Sequence, residues 1–491
     1  MSQQVQGNSS LKEGSLGVLG IVFFVVAAAA PLAASVATAP VVFGFGGVGA
    51  PLAYLIVGVV LLLFSVGYAY MSGKVTSAAG LAAYVEVALG KRAASACAFV
   101  AVLSYGVFVM GLYGGFGFFA SFALDSTLGI SADWFVCATL AWLLVGFMGH
   151  RAVDLNMRVL GVLIVLEISV LFFFDVATVG KGGEDGISFA GFDPSAISGG
   201  TGFGIALLFA AVAFLGFEAT AIYGEEARSP RRTVAVATYG AVVLITVFYA
   251  LTMWSFGNAY GNDKVLDQAA SNPGGFVLEV MPVYLGAWST DVLTVLVLTS
   301  YFAALLALHN TLSRYVMSLG RAGGLPSLLG ATHKRFKSPS NASVAVSVVT
   351  AVGVVGFAVG GADPFLQLFA WLSGLGTLGI FVLQASATVA VVVHGRRSGE
   401  GSAWQTLIAP VAAFVGICVI VVLALRNWSL LSGATGGLSS MLPWLIPAAA
   451  LAGALMATLR ADRVGSLNPE RTDADAVETD SAEATTPIND K

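Results

Sequence analysis

The stretch that decides the fold is LLFAAVAFLGFEATAIYGEEARSP, residues 207–230. It begins as an apolar run suited to a membrane helix, yet it carries Gly216 near its centre and Glu218 two residues later. The first apolar stretch contains VVAAAAPLAASVATAP at 25–40 and is interrupted by Pro31. Backbone that leaves helical geometry inside a bilayer must face protein or a water-filled cavity, because each unsatisfied polar group there costs several kcal/mol. Both stretches are therefore predicted to be broken membrane helices.

The positions of the two breaks, in the first and sixth apolar stretches, indicate an internal repeat. Two five-helix repeats of inverted topology place their broken helices together at the bilayer midplane, where a small molecule can bind. Taken singly, Pro31 could merely kink a helix and Gly216 could merely pack against a neighbour. The paired positions favour a binding site.

The composition agrees with a membrane protein. Of the 491 residues, 57% are apolar and 10% are charged, whereas soluble domains carry about 25% charged residues. The three cysteines fall inside apolar runs and supply neither a disulfide framework nor a metal cluster. There is no H-E-x-x-H motif and no phosphate-binding P-loop. We therefore expect no enzymatic activity, no cofactor, no metal and no nucleic-acid partner.

Apolar stretches bounded by charged or turn residues predict twelve membrane spans. They cover approximately residues 16–43, 50–71, 95–124, 133–149, 158–179, 203–224, 234–257, 288–318, 342–361, 365–394, 404–426 and 439–459. All Lys and Arg except Lys181, Lys264 and Arg426 then fall on one side, which the positive-inside rule makes cytoplasmic. We expect a multi-pass protein of the cell membrane with both termini in the cytoplasm.

Three groups of residues resemble the amino acid–polyamine–organocation (APC) superfamily of transporters. They are FLGFEATAIYGEEARSPRRT at 214–233, similar to the family's sixth helix, HN…SR…GRAGGLP at 309–326, similar to the end of its eighth helix, and Gly80, Tyr84 and Gly90 before the third helix. The resemblance covers about residues 15–460. It implies a leucine-transporter-like fold, with ten helices in two inverted repeats and two further helices, and transport of amino acids or related amines by alternating access.

The predicted fold class is an all-α polytopic membrane protein of 12 transmembrane helices, with helices 1 and 6 broken at mid-membrane. Its predicted parts are a cytoplasmic tail at 1–15, a transporter domain at 16–461 with repeats at about 16–180 and 203–394 and helices 11–12 at about 404–459, and an acidic tail at 462–491. That last segment holds eight of the 27 acidic residues and is expected to be disordered.

The resemblance places the substrate at the two breaks. Many family members have a Gly-Ser-Gly stretch in the first break whose amides receive the substrate carboxylate, but this chain has APLAAS at 30–35, and Pro31 has no N–H to donate. The following amides still lie at the start of the outer half-helix, where the helix dipole favours an anion. Carbonyls of the sixth-helix break are expected to receive the ammonium group. The predicted substrate-binding residues are Ala30, Pro31, Ala33, Ala34, Ser35, Ser104, Tyr105, Phe214, Leu215, Gly216, Phe217 and Glu218.

Several of these side chains have a structural alternative. Ser104 and Tyr105 could instead form hydrogen bonds between helices, and Phe217 could pack rather than gate the pathway. Glu218 resembles a family carboxylate beside the sixth-helix break, where it could gate the pathway or orient a substrate amine.

Glu167, in the middle of the fifth span, is the sharpest candidate for ion coupling, because a charge inside a membrane is costly and usually functional. By loose analogy with family members that carry a lysine in this region, we expect it to be a proton-coupling carboxylate. The alternative is a protonated side chain that only bonds a neighbouring helix. Thr299 and Ser300 could contribute to a sodium site, although such hydroxyls often bond their own helix.

The expected function is a secondary active transporter that imports an amino acid and is coupled to protons, with sodium as the alternative ion. An amine or polyamine transporter (putrescine- or ethanolamine-like) and an amino-acid exchanger remain open. A membrane-embedded enzyme would need clustered catalytic side chains at midplane depth, and a sensor would need a folded output domain. The sequence shows neither.

Overall fold

The computed structural model describes residues 11–151, 153–197, 202–433, 436–462 and 464–468. These residues are helical apart from turns and loops, and their one pairing of extended backbone is an isolated parallel bridge between Leu16 and Ala227. The helices are α1 (Val18–Ala29), α2 (Pro31–Gly46), α3 (Ala50–Ser72), α4 (Leu81–Leu89), α5 (Lys91–Leu128), α6 (Trp134–His150), α7 (Val153–Lys181), α8 (Phe203–Val212), α9 (Phe217–Glu226), α10 (Pro230–Tyr260), α11 (Val265–Ser271), α12 (Phe276–Leu285), α13 (Ser289–Arg321), α14 (Ser340–Val359), α15 (Pro364–Ser398), α16 (Trp404–Arg426), α17 (Trp428–Ser432) and α18 (Leu445–Leu459).

Ten helical stretches of the described chain are long and apolar enough to cross a membrane. One of them, Val18–Ser72, contains the interrupted first helix and also the second, and α6 is a further apolar helix of 17 residues. Large apolar side chains such as Leu143, Phe172 and Val352 lie exposed on the outside of the bundle, as contact with lipid requires. The all-α polytopic class is confirmed, with ten to twelve apolar helices, and the count of twelve stays a prediction.

The first break separates α1 from α2 at Ala30, which has a left-handed backbone conformation with φ of 47°. Such a conformation is unfavourable for a residue with a Cβ atom and persists only where the surroundings fix it. Pro31 then occupies the first position of α2, where its missing N–H costs nothing. The predicted interruption of the first helix is therefore present at Ala30–Pro31.

The second break follows α8. The chain leaves the α-helix after Val212, passes through tight turns, and reaches Gly216 with φ of 108° before it continues as the 3₁₀-helix α9. A Cβ atom at Gly216 would lie 2.5 Å from the Cβ of Ala28, so this residue needs glycine for its φ and for its contact with α1. The two broken helices thus touch at their interruptions.

The two ends of the bundle carry different groups of residues. Leu16, the ends of α9 and α13, and residues 464–468 lie together at one of them, which we call the terminal face. Lys181 and Lys264 lie at the other, which we call the opposite face.

The opposite face is covered by α11 and α12, which pack against α2. The ring of Phe276 lies 5.4 Å from the ring of Phe43 and 4.8 Å from that of Tyr260. These aromatic contacts bury the start of α12 over the outer half of the first helix. The short helices therefore form a cover above the breaks.

Hydrogen bonds hold the loop after α7 against the end of α10, beside this cover. Asn258 accepts the N–H of Ser188 with its Oδ1 at 2.7 Å and the N–H of Glu184 with its backbone oxygen at 2.9 Å. Glu184 in turn pairs with Lys264 at 2.8 Å, just before α11. Loop and cover are thus linked by an exposed ion pair.

Residues 464–468 pack against the terminal face. The N–H of Leu467 donates to Glu86 Oε2 at 2.7 Å, its carbonyl accepts from Ser77 Oγ at 2.5 Å, and the N–H of Gly465 donates to the Ala322 carbonyl at 2.9 Å. These five residues form a strap across α4, the loop before it and the end of α13. They belong to the segment that the sequence predicts to be a disordered tail. The remaining tail residues, 463 and 469–491, and residues 1–10 lie outside the described chain.

Candidate functional site

The first break turns the start of α2 into a helix N-terminus, where the first backbone amides have no partner within the helix. The N–H of Ala33 donates to Ser300 Oγ at 3.1 Å, and the N–H of Ala34 donates to the Ala30 carbonyl at 2.8 Å. The hydroxyl of Ser35 bonds back to Pro31 O at 2.8 Å. The amides expected to hold an anion therefore have protein acceptors in this state.

Glu167 lies directly beside this break. Its Oε2 accepts the hydroxyl of Ser300 at 2.6 Å and the N–H of Leu32 at 3.4 Å, and the side chain is fully buried. Its second oxygen, Oε1, has no hydrogen-bond partner within the described chain. The carboxylate thus joins α7, α13 and the start of α2.

Thr299, the neighbour of Ser300, does not join this cluster. Its hydroxyl donates to Leu296 O at 3.0 Å, within its own helix. Of the two residues considered for an ion site, the structure brings Ser300 alone to the first break, where its hydroxyl accepts the Ala33 N–H and donates to Glu167.

Glu218 lies at the second break and is also buried, with 1% of its surface exposed. Its Oε1 accepts the Tyr105 hydroxyl at 2.7 Å, and its Oε2 accepts the Gly216 N–H at 3.0 Å and the Gln384 amide at 3.4 Å. The side chain therefore caps the interrupted helix and links it to α5 and α15. Tyr105 is brought to the predicted site.

Tyr68, on α3, bonds to two further backbone groups just after this break. Its hydroxyl donates to the Glu218 carbonyl at 2.7 Å and accepts the Ala221 N–H at 2.6 Å and the Thr220 hydroxyl at 2.8 Å. In a water-poor interior these bonds replace those that the helix lost. Sequence reasoning missed both Tyr68 and Gln384, although an amide in an apolar span such as that of Gln384 is itself a signal of a buried partner.

Several predicted residues have other contacts. Ser104 donates to Val100 O at 2.7 Å, within α5, and packs closely against Gly379 of α15, so it lies at a helix interface. Phe217 is buried edge-on against Phe64, with ring centroids 5.7 Å apart.

The carbonyls predicted to receive an ammonium group have partial partners. Phe214 O accepts the Phe217 N–H at 3.5 Å, a long contact, and Gly216 O accepts the Ala219 N–H at 3.1 Å. Leu215 lies between them and is buried. The carbonyls of this stretch are thus bonded to nearby amides of the same stretch, and the bond from Phe217 to Phe214 is the longer of the two.

The terminal face is closed below the breaks by ion pairs from the end of α9. Arg314 donates from Nε and Nη2 to the two oxygens of Glu226, each at 2.8 Å, and its guanidinium lies 4.6 Å from the ring centroid of Tyr223. Arg321 donates to Glu225 at 2.9 Å, a carboxylate that also accepts the Ala78 N–H at 2.9 Å. These contacts therefore hold α9, α13 and the loop before α4 together at the terminal face.

Comparison with known proteins gives the family and the fold. A family model described as "Amino acid permease" matches residues 16–451. The chain is 24% identical to the methylthioribose transporter of Bacillus subtilis over 75% of this chain and 79% of the relative. It is 26% identical to the branched-chain amino acid permease BcaP of Lactococcus lactis over 72% of this chain and 76% of the relative.

A third relative, an uncharacterised transporter of Mycobacterium tuberculosis, is 28% identical over 45% of this chain, and the match spans about half (46%) of its length. Among solved structures, a Na⁺-coupled sialic acid symporter in a substrate-bound, outward-open state is similar with a TM-score of 0.52 at 13% identity, over 85% of this chain and 90% of that one. At this identity the likeness shows the fold alone. The named relatives are transporters rather than enzymes.

Proposed function

The chain belongs to the amino acid permease family, and from that premise we propose that it is a secondary active transporter that imports an amino acid by alternating access, driven by protons. The observation that carries this proposal is the contact between the two broken helices, where Gly216 lies against Ala28 and buried carboxylates flank both interruptions. Paired breaks of this kind are where transporters of inverted-repeat architecture bind their substrates.

We place twelve helices in the membrane, the first ten as two inverted repeats with their breaks at the midplane. The terminal face is the cytoplasmic one, because the basic residues concentrate there and the positive-inside rule orients them inward. The ion pairs of Arg314 and Arg321 then form the inner gate of a cell-membrane protein, and α11 and α12 cover the outer mouth.

Glu167 is the proposed proton carrier. Ionised, it accepts hydrogen bonds from Ser300 and the Leu32 amide and so holds the first break against α7 and α13. Protonated, it can accept less well from these donors, which loosens that hold. A proton that binds one conformation better than the other shifts the balance between them, and this difference is what couples the proton to transport. The bond of Thr299 to its own helix favours a proton over sodium at this position.

The substrate carboxylate is proposed to take the place of Ser300 on the Ala33 amide, and the ammonium group that of the weak Phe217–Phe214 backbone bond. Tyr105 and Glu218 then line the space that opens between α5 and α9. Exchange of one amino acid for another would use the same site.

A second candidate is an amine without a carboxylate, such as a putrescine- or ethanolamine-like compound. Two observations favour it. The Ala33 and Ala34 amides already have protein acceptors and are not free for a substrate carboxylate. Glu167 and Glu218 together offer a diamine two negative charges. A thermal-shift panel of the amino acids and common amines on the purified protein separates the two, because a ligand that binds the folded state raises its stability. If amines alone raise the melting temperature, the amino-acid proposal fails.

Uptake into proteoliposomes tests the coupling. We expect an inward proton gradient to drive accumulation of the amino acid identified by the panel, and Glu167→Gln to abolish gradient-driven accumulation while substrate binding persists. Ser169→Ala is the matched control, since that hydroxyl on α7 bonds only to Val165 O of its own helix. Uptake by Glu167→Gln with an unchanged pH profile would overturn the assigned role.

A further inference from the structure

A second carboxylate of α7, Asp175, lies eight residues beyond Glu167, which is about 12 Å along a helix axis. It faces α10 near the opposite face, away from the first break. Its Oδ2 accepts the hydroxyl of Thr252 at 3.1 Å, and its Oδ1 is buried with no hydrogen-bond partner in the described chain.

Two further hydroxyls border this carboxylate. Thr178 lies one turn along the same face of α7, and Ser255 lies one turn beyond Thr252 on α10, next to the carboxylate. Both side chains are fully buried. Among the described residues neither hydroxyl makes a well-formed hydrogen bond, and the nearest partner of Ser255 is the Asp175 carboxylate itself. Because buried polar atoms in proteins are nearly always paired, a carboxylate bordered by two hydroxyls that lack a well-formed hydrogen bond indicates a missing ligand.

The behaviour of neighbouring hydroxyls strengthens this interpretation. Thr238 and Thr246, also on α10, bond back to their own helix at Val234 O (2.8 Å) and Val242 O (2.6 Å). That bond is the ordinary arrangement for a buried threonine in an apolar helix. Thr252 instead turns to Asp175, and Ser255 has no such bond.

The charge of Asp175 is not balanced by a basic side chain. None of the ion pairs in the described ranges includes it. The basic residue of α7 that follows it, Lys181, donates to Val283 O at 2.9 Å and lies 5.4 Å from the Tyr284 ring centroid. An isolated carboxylate in an apolar interior is costly, so a positive ligand would stabilise it.

The donor set selects the kind of cation. All available donors are oxygens, which hard cations prefer, and one carboxylate neutralises a single positive charge. A divalent ion would leave net charge in the bilayer interior. We propose that Asp175, Thr178, Thr252 and Ser255 bind a sodium ion between α7 and α10, at a place distinct from Glu167 and Ser300.

The site lies beneath the loop that Asn258 fastens to the end of α10. The carbonyl of Thr178 accepts the N–H groups of Gly182 and Gly183 at 3.1 and 3.0 Å, which closes the end of α7 over the site. The ion therefore exchanges with the opposite face, and it does so independently of the substrate that the transporter carries.

The test is sodium binding to the purified full-length protein. Thermal unfolding is followed as NaCl replaces choline chloride at constant ionic strength, with KCl as the comparison and binding of radioactive sodium as the direct readout. We expect sodium, but neither potassium nor choline, to raise the melting temperature. Asp175→Asn is expected to abolish the effect, and Thr178→Val and Ser255→Ala to weaken sodium binding about tenfold, the loss of one ligand.

Two variants serve as controls. Thr246→Val removes a hydroxyl of α10 that bonds its own helix, and it is expected to leave the sodium affinity unchanged. Glu167→Gln is expected to retain the sodium response. Loss of the response in Glu167→Gln with retention in Asp175→Asn would move the ion to the first break and overturn the proposal.

The remaining outcomes are also decisive. A wild-type protein with no sodium-specific shift and no bound radioactive sodium overturns the proposal. If Asp175→Asn does not fold, Thr178→Val and Ser255→Ala keep the carboxylate and carry the test, and an unchanged sodium affinity in both overturns it. None of these results depends on which substrate is transported.

Discussion

Arg314 of α13 holds both carboxylate oxygens of Glu226 at 2.8 Å, and each side chain is only 1% exposed. The pair joins the end of the second broken helix to α13 and lies beside the place where Leu16 bonds to the Glu226 carbonyl at 2.9 Å. Because two buried charges satisfy one another here, the loss of either one leaves the other without compensation.

Glu226→Gln is therefore expected to destabilise the closed terminal face. Removal of one partner of a buried ion pair typically costs about 3–5 kcal/mol. We expect a lower melting temperature and faster labelling of a cysteine introduced at the terminal face. The matched control is Glu400→Gln, which breaks the exposed pair with Lys74 and should change little, since solvent screens surface pairs. Equal effects of the two variants would contradict the assigned role of the buried pair.

Gly216→Ala is expected to disrupt the contact between the two breaks. A non-glycine residue at φ of 108° is strained by about 1–3 kcal/mol, and the added Cβ would meet the Cβ of Ala28 at 2.5 Å. The readout is thermal unfolding together with substrate uptake. Gly240→Ala is the control, because a Cβ there meets nothing within 4 Å and Ala favours a helix interior by about 0.5–1 kcal/mol.

A second-site change separates strain from contact at Gly216. Ala28→Gly removes the nearest atom that the new Cβ would meet, keeps the backbone of Ala28 and Ala29 at 3.1 and 3.3 Å from it, and leaves φ unchanged, so the double variant should recover part of the stability. Full recovery would show that backbone strain plays no role, and no recovery would show that the contact with α1 plays none.

The exposed pair of Glu184 and Lys264 predicts a pH effect at the opposite face. The lysine beside it lowers the pKa of the Glu184 carboxyl below its usual value. Because the pKa is lowered in the folded state, the pair stabilises the folded state at pH values above the unfolded pKa. This stabilisation is lost as the pH falls through the folded pKa. Below about pH 4 we expect the amides of the loop after α7 to be less protected from hydrogen exchange than at pH 7, once each rate is divided by the intrinsic chemical rate at its pH.

Lys264→Met tests the origin of that effect. It should bring the protection of the loop amides at pH 7 close to the protection seen at low pH and leave little further change on acidification. An unchanged pH dependence in this variant would assign the effect to another carboxyl group.

Truncation of the chain tests the strap formed by residues 464–468. A chain that ends at Asp462 loses the bonds from Leu467 to Glu86 and Ser77, and it exposes the Glu86 carboxylate to solvent. We expect a lower melting temperature and altered uptake. A chain that ends at Asn468 keeps these bonds and is expected to match the full chain. If both truncations behave alike, the strap does not stabilise the terminal face.

The helix breaks could be predicted because their causes are local. Pro31 and Gly216 stand inside apolar runs, and proline and glycine act on their own backbone wherever they occur. The structure places a left-handed residue next to Pro31 and at Gly216, and the prediction of two interrupted helices is confirmed by their dihedral angles. The membrane class could be predicted as directly, from the high fraction of apolar residues and the low fraction of charged ones.

The partners of the buried carboxylates could not be predicted with the same ease. Gln384 and Tyr68 reach Glu218 from 166 and 150 residues away, so their pairing depends on how the helices pack. The same packing decides that Ser104 lies at the interface with Gly379 and that Ser300 covers the Ala33 amide. The sequence identifies which polar groups are costly to bury, and the tertiary structure determines which residues form hydrogen bonds with them.

The parallel bridge between Leu16 and Ala227 has a mechanical consequence. Leu16 donates its N–H to Glu226 O and accepts the Arg228 N–H, both at 2.9 Å, just before the first broken helix begins and where the second ends. Backbone hydrogen bonds thus join these two helices at the terminal face, and most side-chain substitutions leave such bonds in place. Movement of either half-helix is therefore expected to move the other, because backbone bonds join the two at the terminal face and the Gly216–Ala28 contact joins them at the breaks.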